Sequence, residues 1–214
     1  MFVIKNVRIL DPASATDMTG DISIENGKIK TIGSVEAGKE DQILDGSGLV
    51  AAPGLVDTHV HFRDPGLTYK EDIYTGAHAA AAGGFTSVVC MANTKPVGDN
   101  VDTVSYVVEK GKKTNIHVYT TAAVTKSIDG KNLTDFQALL QAGAIGFTDD
   151  GIPIKDAGTV KAAMEMAAAL DVPISLHEED PELIVSPGVN QGKVSEKLHY
   201  GGAPARSEYE MVRR

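Results

Sequence analysis

The sequence has no tryptophan, 5% aromatic residues, one cysteine, and too few basic residues to balance its acids. Each shortage excludes something. A single thiol, Cys90, cannot close an internal disulfide, so a cross-linked secreted scaffold is ruled out and a reducing, cytoplasmic setting is the natural expectation. With 20 Lys and Arg against 29 Asp and Glu, a net charge of −9, the chain lacks the basic surface that nucleic acid or an anionic membrane would require. No apolar run reaches the ~20 residues of a membrane-spanning helix. Met1 to Leu10 alternates like a strand, unlike a secretory leader. Cys90 lies in the apolar run Ser87–Met91 with no basic neighbour in sequence, which reads as a buried structural thiol, not a nucleophile.

What remains is ordinary for a globular protein: 42% hydrophobic and 23% charged residues over a length of 214. That length buries one core, or one core plus a small appendage. Two patterns meet near residue 52. Before it lie short strands: Phe2–Leu10, a hairpin over Asp21–Gly33 turning at Asn26-Gly27, then Asp41–Leu44 and Leu49–Ala51. Antiparallel strands over so short a stretch cannot bury both faces, so residues 1–51 need a partner surface.

From Gly54 strand and helix alternate. Strands begin near Leu55, Thr86, Ile116, Ala144 and Pro173, with helices over 70–82, 100–113, 133–142 and 157–170. The last helix carries Val160, Met164, Ala167 and Ala168 at helical spacing. The period of about thirty residues is that of a βα unit. No nucleotide-binding glycine fingerprint follows the first strand, which favours a parallel α/β barrel over a doubly wound sheet. The expected organisation is therefore a small β piece over 1–51 and a (β/α)8 TIM-type barrel over 52–214, truncated after about five βα units. On this count the chain is expected to be the N-terminal part of a longer protein.

The densest chemistry lies in Gly54-Leu-Val-Asp-Thr-His59-Val-His61-Phe-Arg63-Asp-Pro-Gly66. Strand alternation sends His59, His61 and Arg63 to one face, an arrangement suited to a divalent metal with an anion beside it. A lone His-x-His is a weak signal. Two further strands, however, end in ligand-type residues: Ala144–Gly151 in Asp149 and Asp150, and Val172–Glu179 in His177. Parallel barrels place active-site residues at the C-terminal ends of their strands. The candidate ligands are thus His59, His61, one of Asp149 or Asp150, and His177. Taken singly, the two aspartates could be caps or turn formers and His177 a core imidazole; the shared position is what favours a metal site. His78, His117 and His199 sit in a helix, at a strand start and in a loop, and are not read as ligands. Glu178 and Glu179 are read as solvated.

These residues carry a resemblance. The run Asp57–Gly66, the stretch Thr75-Gly-Ala-His-Ala-Ala-Ala-Ala-Gly83-Gly84-Phe-Thr86, Met91-Ala-Asn93-Thr94-Lys-Pro96, Phe147–Gly151 and the strand ending at His177 together resemble the dihydroorotases of the amidohydrolase superfamily. The resemblance implies a barrel with a small β-sandwich built from both chain ends, which would account for residues 1–51. It implies two zinc ions, with His59 and His61 on one, His177 on the other, and Asp150 bridging. The preference for Asp150 over Asp149 rests on the motif match. No lysine occurs in that strand, so the carboxylated lysine of many relatives has no counterpart, and the likeness is to bacterial enzymes with a bridging aspartate. Arg63 and Asn93 would bind the substrate carboxylate, the guanidinium through its planar fork. The implied reaction is the reversible hydrolysis of L-dihydroorotate to N-carbamoyl-L-aspartate in de novo pyrimidine biosynthesis, by a metal-activated hydroxide.

Ala92 stands where a proline is common in the family. The family's further ligand histidine, its catalytic aspartate and the second half of its sandwich find no position here, so no catalytic residue is assigned and the fragment alone is expected to be inactive. Alternatives are an allantoinase, a dihydropyrimidinase, or a non-catalytic dihydroorotase-like subunit partnering aspartate carbamoyltransferase. Arg63, the Met91–Thr94 run and Asp150 favour dihydroorotase. A homodimer is an expectation from the family.

Overall fold

The computed structural model describes residues 1–213. The chain divides into two compact units, Met1–Gly54 and a second beginning at Leu55. In the first, β1 (Phe2–Asp11), β2 (Thr16–Glu25), β3 (Lys28–Gly33), β4 (Gln42–Asp45) and β5 (Val50–Ala51) form one sheet. The order is β3-β2-β1-β4, with β5 also pairing β1. The β2–β3 hairpin turns at Asn26 (φ 51°) and Gly27 (φ 73°), the geometry that makes Asn-Gly a hairpin dipeptide.

β1, β2 and β3 are antiparallel, but β4 and β5 run parallel to β1, which corrects the all-antiparallel expectation. The cause is the 34–41 link, which carries the chain from the β3 edge to the opposite edge of β1. Val35 pins it: its N–H donates to the Asp21 carboxylate at 3.1 Å and its carbonyl accepts from Lys5 at 2.8 Å. Val7, Ile9 and Ile22 form a small core. Ile29, Ile32 and Ile43 remain more than half exposed.

The second unit runs β6 (Leu55–Val60), α1 (Ile73–Ala82), β7 (Phe85–Cys90), α2 (Val101–Gly111), β8 (His117–Thr120), α3 (Phe136–Gln141), β9 (Phe147–Thr148), α4 (Ala157–Ala169), β10 (Ile174–Ser175), α5 (Lys193–Lys197) and α6 (Arg206–Arg213). β6, β7 and β8 form one parallel sheet, and β9 pairs β10 in parallel. A parallel bridge between Ala122 and Phe147, reinforced by Thr148 N–H to Ala122 O at 2.8 Å, connects the two sets. Five parallel strands therefore follow one another in chain order. The fold is mixed α/β with an N-terminal β-sheet, and no closed barrel forms among the described residues.

Aspartate and asparagine caps decide where the helices begin. Asp72, Asn100, Asp135 and Asp156 each accept backbone N–H groups of the first turn. So α1 starts at Ile73 and α3 at Phe136, each later than hydrophobic spacing indicates. Beneath α2, α3 and α4 lies the larger core, where Phe136 and Phe147 stack with centroids 3.7 Å apart. A second core joins Phe62, Ile73 and Ala77 to Val88, Cys90 and Val107. No described helix is long and apolar enough to cross a membrane.

Candidate metal centre

β6 ends at Val60, paired with Cys90 of β7, after an irregular register from Asp57. The Asp57 carboxylate accepts the His59 N–H at 3.0 Å. His61 follows directly beyond the strand, and its ring meets that of His59 edge-on with centroids 5.1 Å apart. Arg63 does not continue the alternation. It lies past the strand with φ 57°, a left-handed conformation to which the period-two rule does not apply. The expectation that alternation alone aligns Arg63 with the histidines is corrected accordingly; its side chain is half-buried.

The loop carrying Arg63 is clamped from below. Asp64, with a fully buried side chain, accepts from Lys110 at 2.5 Å and from the Tyr106 hydroxyl at 2.9 Å, both on α2. It also accepts the Ile73 N–H at 3.2 Å at the start of α1. Burial lowers the Lys110 pKa, but the bonds to Asp64 and Tyr106 outweigh it and the net shift is upward. Gly66 (φ 92°) closes the loop where an added Cβ would lie 1.8 Å from the Lys95 carbonyl oxygen. Lys95 N–H donates to Pro65 O at 3.1 Å. The 63–66 loop therefore lies against the segment that carries Asn93.

The end of β9 supplies two carboxylates with different fates. Asp149 is 1% exposed and faces protein: it accepts the Val124 and Thr125 N–H groups at 2.8 and 3.0 Å and the Thr125 hydroxyl. Burial pushes its carboxyl above the usual range, with these bonds pulling the other way. Asp150 turns to the histidines. Its Oδ1 lies 3.3 Å from His59 Nε2 and 3.8 Å from His177 Nδ1, and its Oδ2 lies 3.4 Å from His61 Nε2. One donor atom each from His59, His61 and Asp150 fall within 4.8 Å of one another. Gly151 (φ 86°) makes the turn that follows.

His177 sits at the margin of this group, and its Nε2 faces the Glu179 carboxylate at 3.3 Å. The Glu179 side chain stays 41% exposed while it meets His177. Asn93, a substrate ligand by the resemblance, meets two candidate metal ligands here: its Oδ1 lies 3.0 Å from His61 Nδ1 and its Nδ2 3.0 Å from Asp150 Oδ2. His78, His117 and His199 lie on α1, at the start of β8 and after α5, outside the cluster. Burial, with the Asp64 charge second, pushes the Cys90 thiol up to about 12, so it stays protonated. Two imidazoles and a carboxylate form a borderline-soft oxygen-and-nitrogen donor set that suits a divalent ion such as zinc.

A protein-family profile described as Dihydro-orotase-like matches residues 48–213. The chain belongs to the dihydro-orotase-like family. Within that family it is 54% identical, over 215 residues, to a protein named dihydroorotase from Clostridioides difficile (strain 630). It is 50% identical over 214 residues to a dihydroorotase from Streptococcus pyogenes serotype M3. In both comparisons 100% of this chain covers 51% of the relative, so the chain spans about half the length of the curated relatives it matches. Among solved structures, an L-hydantoinase (dihydropyrimidinase) from Arthrobacter aurescens aligns with a TM-score of 0.75 at 20% identity, over 99% of this chain and 49% of that one. That likeness is one of fold. In sequence, this dihydro-orotase-like chain is a dihydroorotase homologue, matching the N-terminal half of the enzyme.

Proposed function

We propose that this chain provides the metal-holding part of a dihydroorotase, acting on L-dihydroorotate and N-carbamoyl-L-aspartate. The observation that carries the reading is the meeting of His59, His61 and Asp150 in a chain 54% identical to a dihydroorotase. His59 and His61 hold one zinc ion, and His177 contributes to a second. Asp150 would contribute to both ions, a role supported by its Oδ1 lying near both His59 Nε2, at 3.3 Å, and His177 Nδ1, at 3.8 Å. The metal supplies a Lewis acid and lowers the pKa of water. Arg63 and Asn93 hold the substrate carboxylate, and the Asp64 clamp fixes the loop that presents Arg63.

In this reading the five parallel strands are the first five units of a (β/α)8 barrel, and residues 1–51 are half of a composite β-sandwich. The exposed Ile29, Ile32 and Ile43 support a missing partner surface. The family's proton-carrying aspartate has no counterpart among these 214 residues, so the chain by itself is expected to hold metal without turning over dihydroorotate. A cytoplasmic location, a homodimer and association with aspartate carbamoyltransferase extend the same reading.

The test is metal content after exhaustive dialysis. Wild-type chain is expected to retain zinc, and His61→Ala and Asp150→Ala to lose it. Equal retention in all three would overturn the metal assignment.

A further inference from the structure

We propose that Lys110, on α2, is a positioning residue for Arg63, holding through Asp64 the backbone turn that presents the guanidinium to substrate. The proposal rests on the reading above that Arg63 binds the substrate carboxylate, and it adds a residue outside the metal cluster.

Arg63 has a left-handed backbone, φ 57°, without being glycine. Such a conformation persists only where its surroundings hold it. Its two neighbours supply the hold. Phe62 is 8% exposed, with its ring against Gly76 of α1, and Asp64 is 2% exposed. Arg63, between these two anchors, is half-buried.

Asp64 draws α1 and α2 onto one carboxylate. Its Oδ2 accepts from Lys110 Nζ at 2.5 Å and from the Ile73 N–H at 3.2 Å, and its Oδ1 from the Tyr106 hydroxyl at 2.9 Å. Lys110 Nζ also donates to that hydroxyl, at 3.2 Å. The same ammonium lies 5.1 Å from the ring centroid of Tyr74 on α1 and 5.4 Å from that of Tyr106, within cation–π range of both.

Stability alone does not call for a charge pair here. Apolar groups of similar volume often replace a buried ion pair at little cost, and its best-attested use is to fix register. What this pair registers is α2 against the 63–66 loop. α2 also starts just after the segment that carries Asn93, with Asn100 as its cap, and Lys95 of that segment donates to Pro65 O at 3.1 Å. One helix therefore sets both residues assigned to the substrate carboxylate.

Amide hydrogen exchange in the zinc-loaded chain reads the turn. Leu67 N–H donates to Arg63 O at 2.9 Å and reports the turn itself, and Lys95 N–H reports its contact with the Asn93 segment. Lys110→Met is expected to speed exchange at both amides about 10- to 100-fold. Val104 and Leu139, in the larger core, are expected to keep wild-type rates. Zinc content is expected to stay at the wild-type level, and L-dihydroorotate affinity to fall about tenfold. Lys110→Arg, which returns a donor to Asp64, is expected to recover both. Tyr106→Phe removes a milder share of the clamp, is expected to speed the same two amides by less, and decides the matter where Lys110→Met does not fold. Wild-type rates at Leu67 and Lys95 in these variants overturn the proposal, and so does equal acceleration at every amide, the mark of a general loss of stability. Wild-type L-dihydroorotate affinity in Lys110→Met, where Arg63→Ala loses it, overturns the proposal as well. An Arg63→Ala chain that binds L-dihydroorotate as tightly as wild type overturns the carboxylate reading instead, and loop exchange then still decides whether Lys110 holds the turn.

Discussion

Asp149 and Thr125 are joined twice: the buried carboxylate accepts both the backbone N–H of Thr125, at 3.0 Å, and its hydroxyl. With the Val124 N–H at 2.8 Å as a third donor, this pins the end of β9 to the segment beyond β8. Asp150 projects from that fixed end. Asp149→Ala removes three bonds and leaves buried donors unpaired, so it is expected to destabilise the chain by about 3 kcal/mol in urea unfolding. Zinc affinity is expected to fall as well. Asp149→Asn keeps acceptor capacity and is expected to cost less. An unchanged urea midpoint for Asp149→Ala would show that the pin is not needed.

Gly76 lies inside α1, where alanine is normally favoured by about 1 kcal/mol. Here an added Cβ would lie 2.4 Å from Cδ1 of Phe62, whose ring is buried against the same helix between His61 and Arg63. Overpacking of this kind costs about 1–3 kcal/mol and outweighs the propensity gain. Gly76→Ala is therefore expected to lower the urea midpoint, and Gly76→Ala combined with Phe62→Leu to recover part of the loss. A stabilised single variant would mean the ring yields freely.

Sequence reading reached the strand–helix alternation because its two periodicities are local. Strand ends point to His59, His61 and one of Asp149 or Asp150, and the resemblance points to Asp150; the structure sets His59, His61 and Asp150 beside one another. Sequence reading could not reach the direction of β4 and β5, since alternation looks the same in a parallel and an antiparallel strand; the Val35 crossover decides it. Nor could alternation choose between Asp149 and Asp150, because β9 is only two residues long and shows no phase. Arg63 has a left-handed backbone without being glycine, so no residue type announced the break. The Asn93 contacts span 32 residues to His61 and 57 to Asp150, and no local pattern reports them.

The first unit has its own pH signature. Hydrogen bonding from Lys5, at 2.6 Å, and from the Asn6 and Val35 N–H groups, both at 3.1 Å, holds the Asp21 carboxyl at about 2. Its folded value is thus depressed below the unfolded one. The ionised form stabilises the fold fully above the unfolded pKa of about 3.9, and this contribution is lost as the pH falls toward about 2. Urea midpoints followed across that window are expected to fall more steeply in wild type than in Asp21→Asn, while the variant is less stable at neutral pH because its side chain no longer pairs with Lys5. Other carboxylates also titrate there, so the comparison is the difference between the two proteins. Parallel slopes would mean that Asp21 does not anchor the 34–41 crossover through its charge.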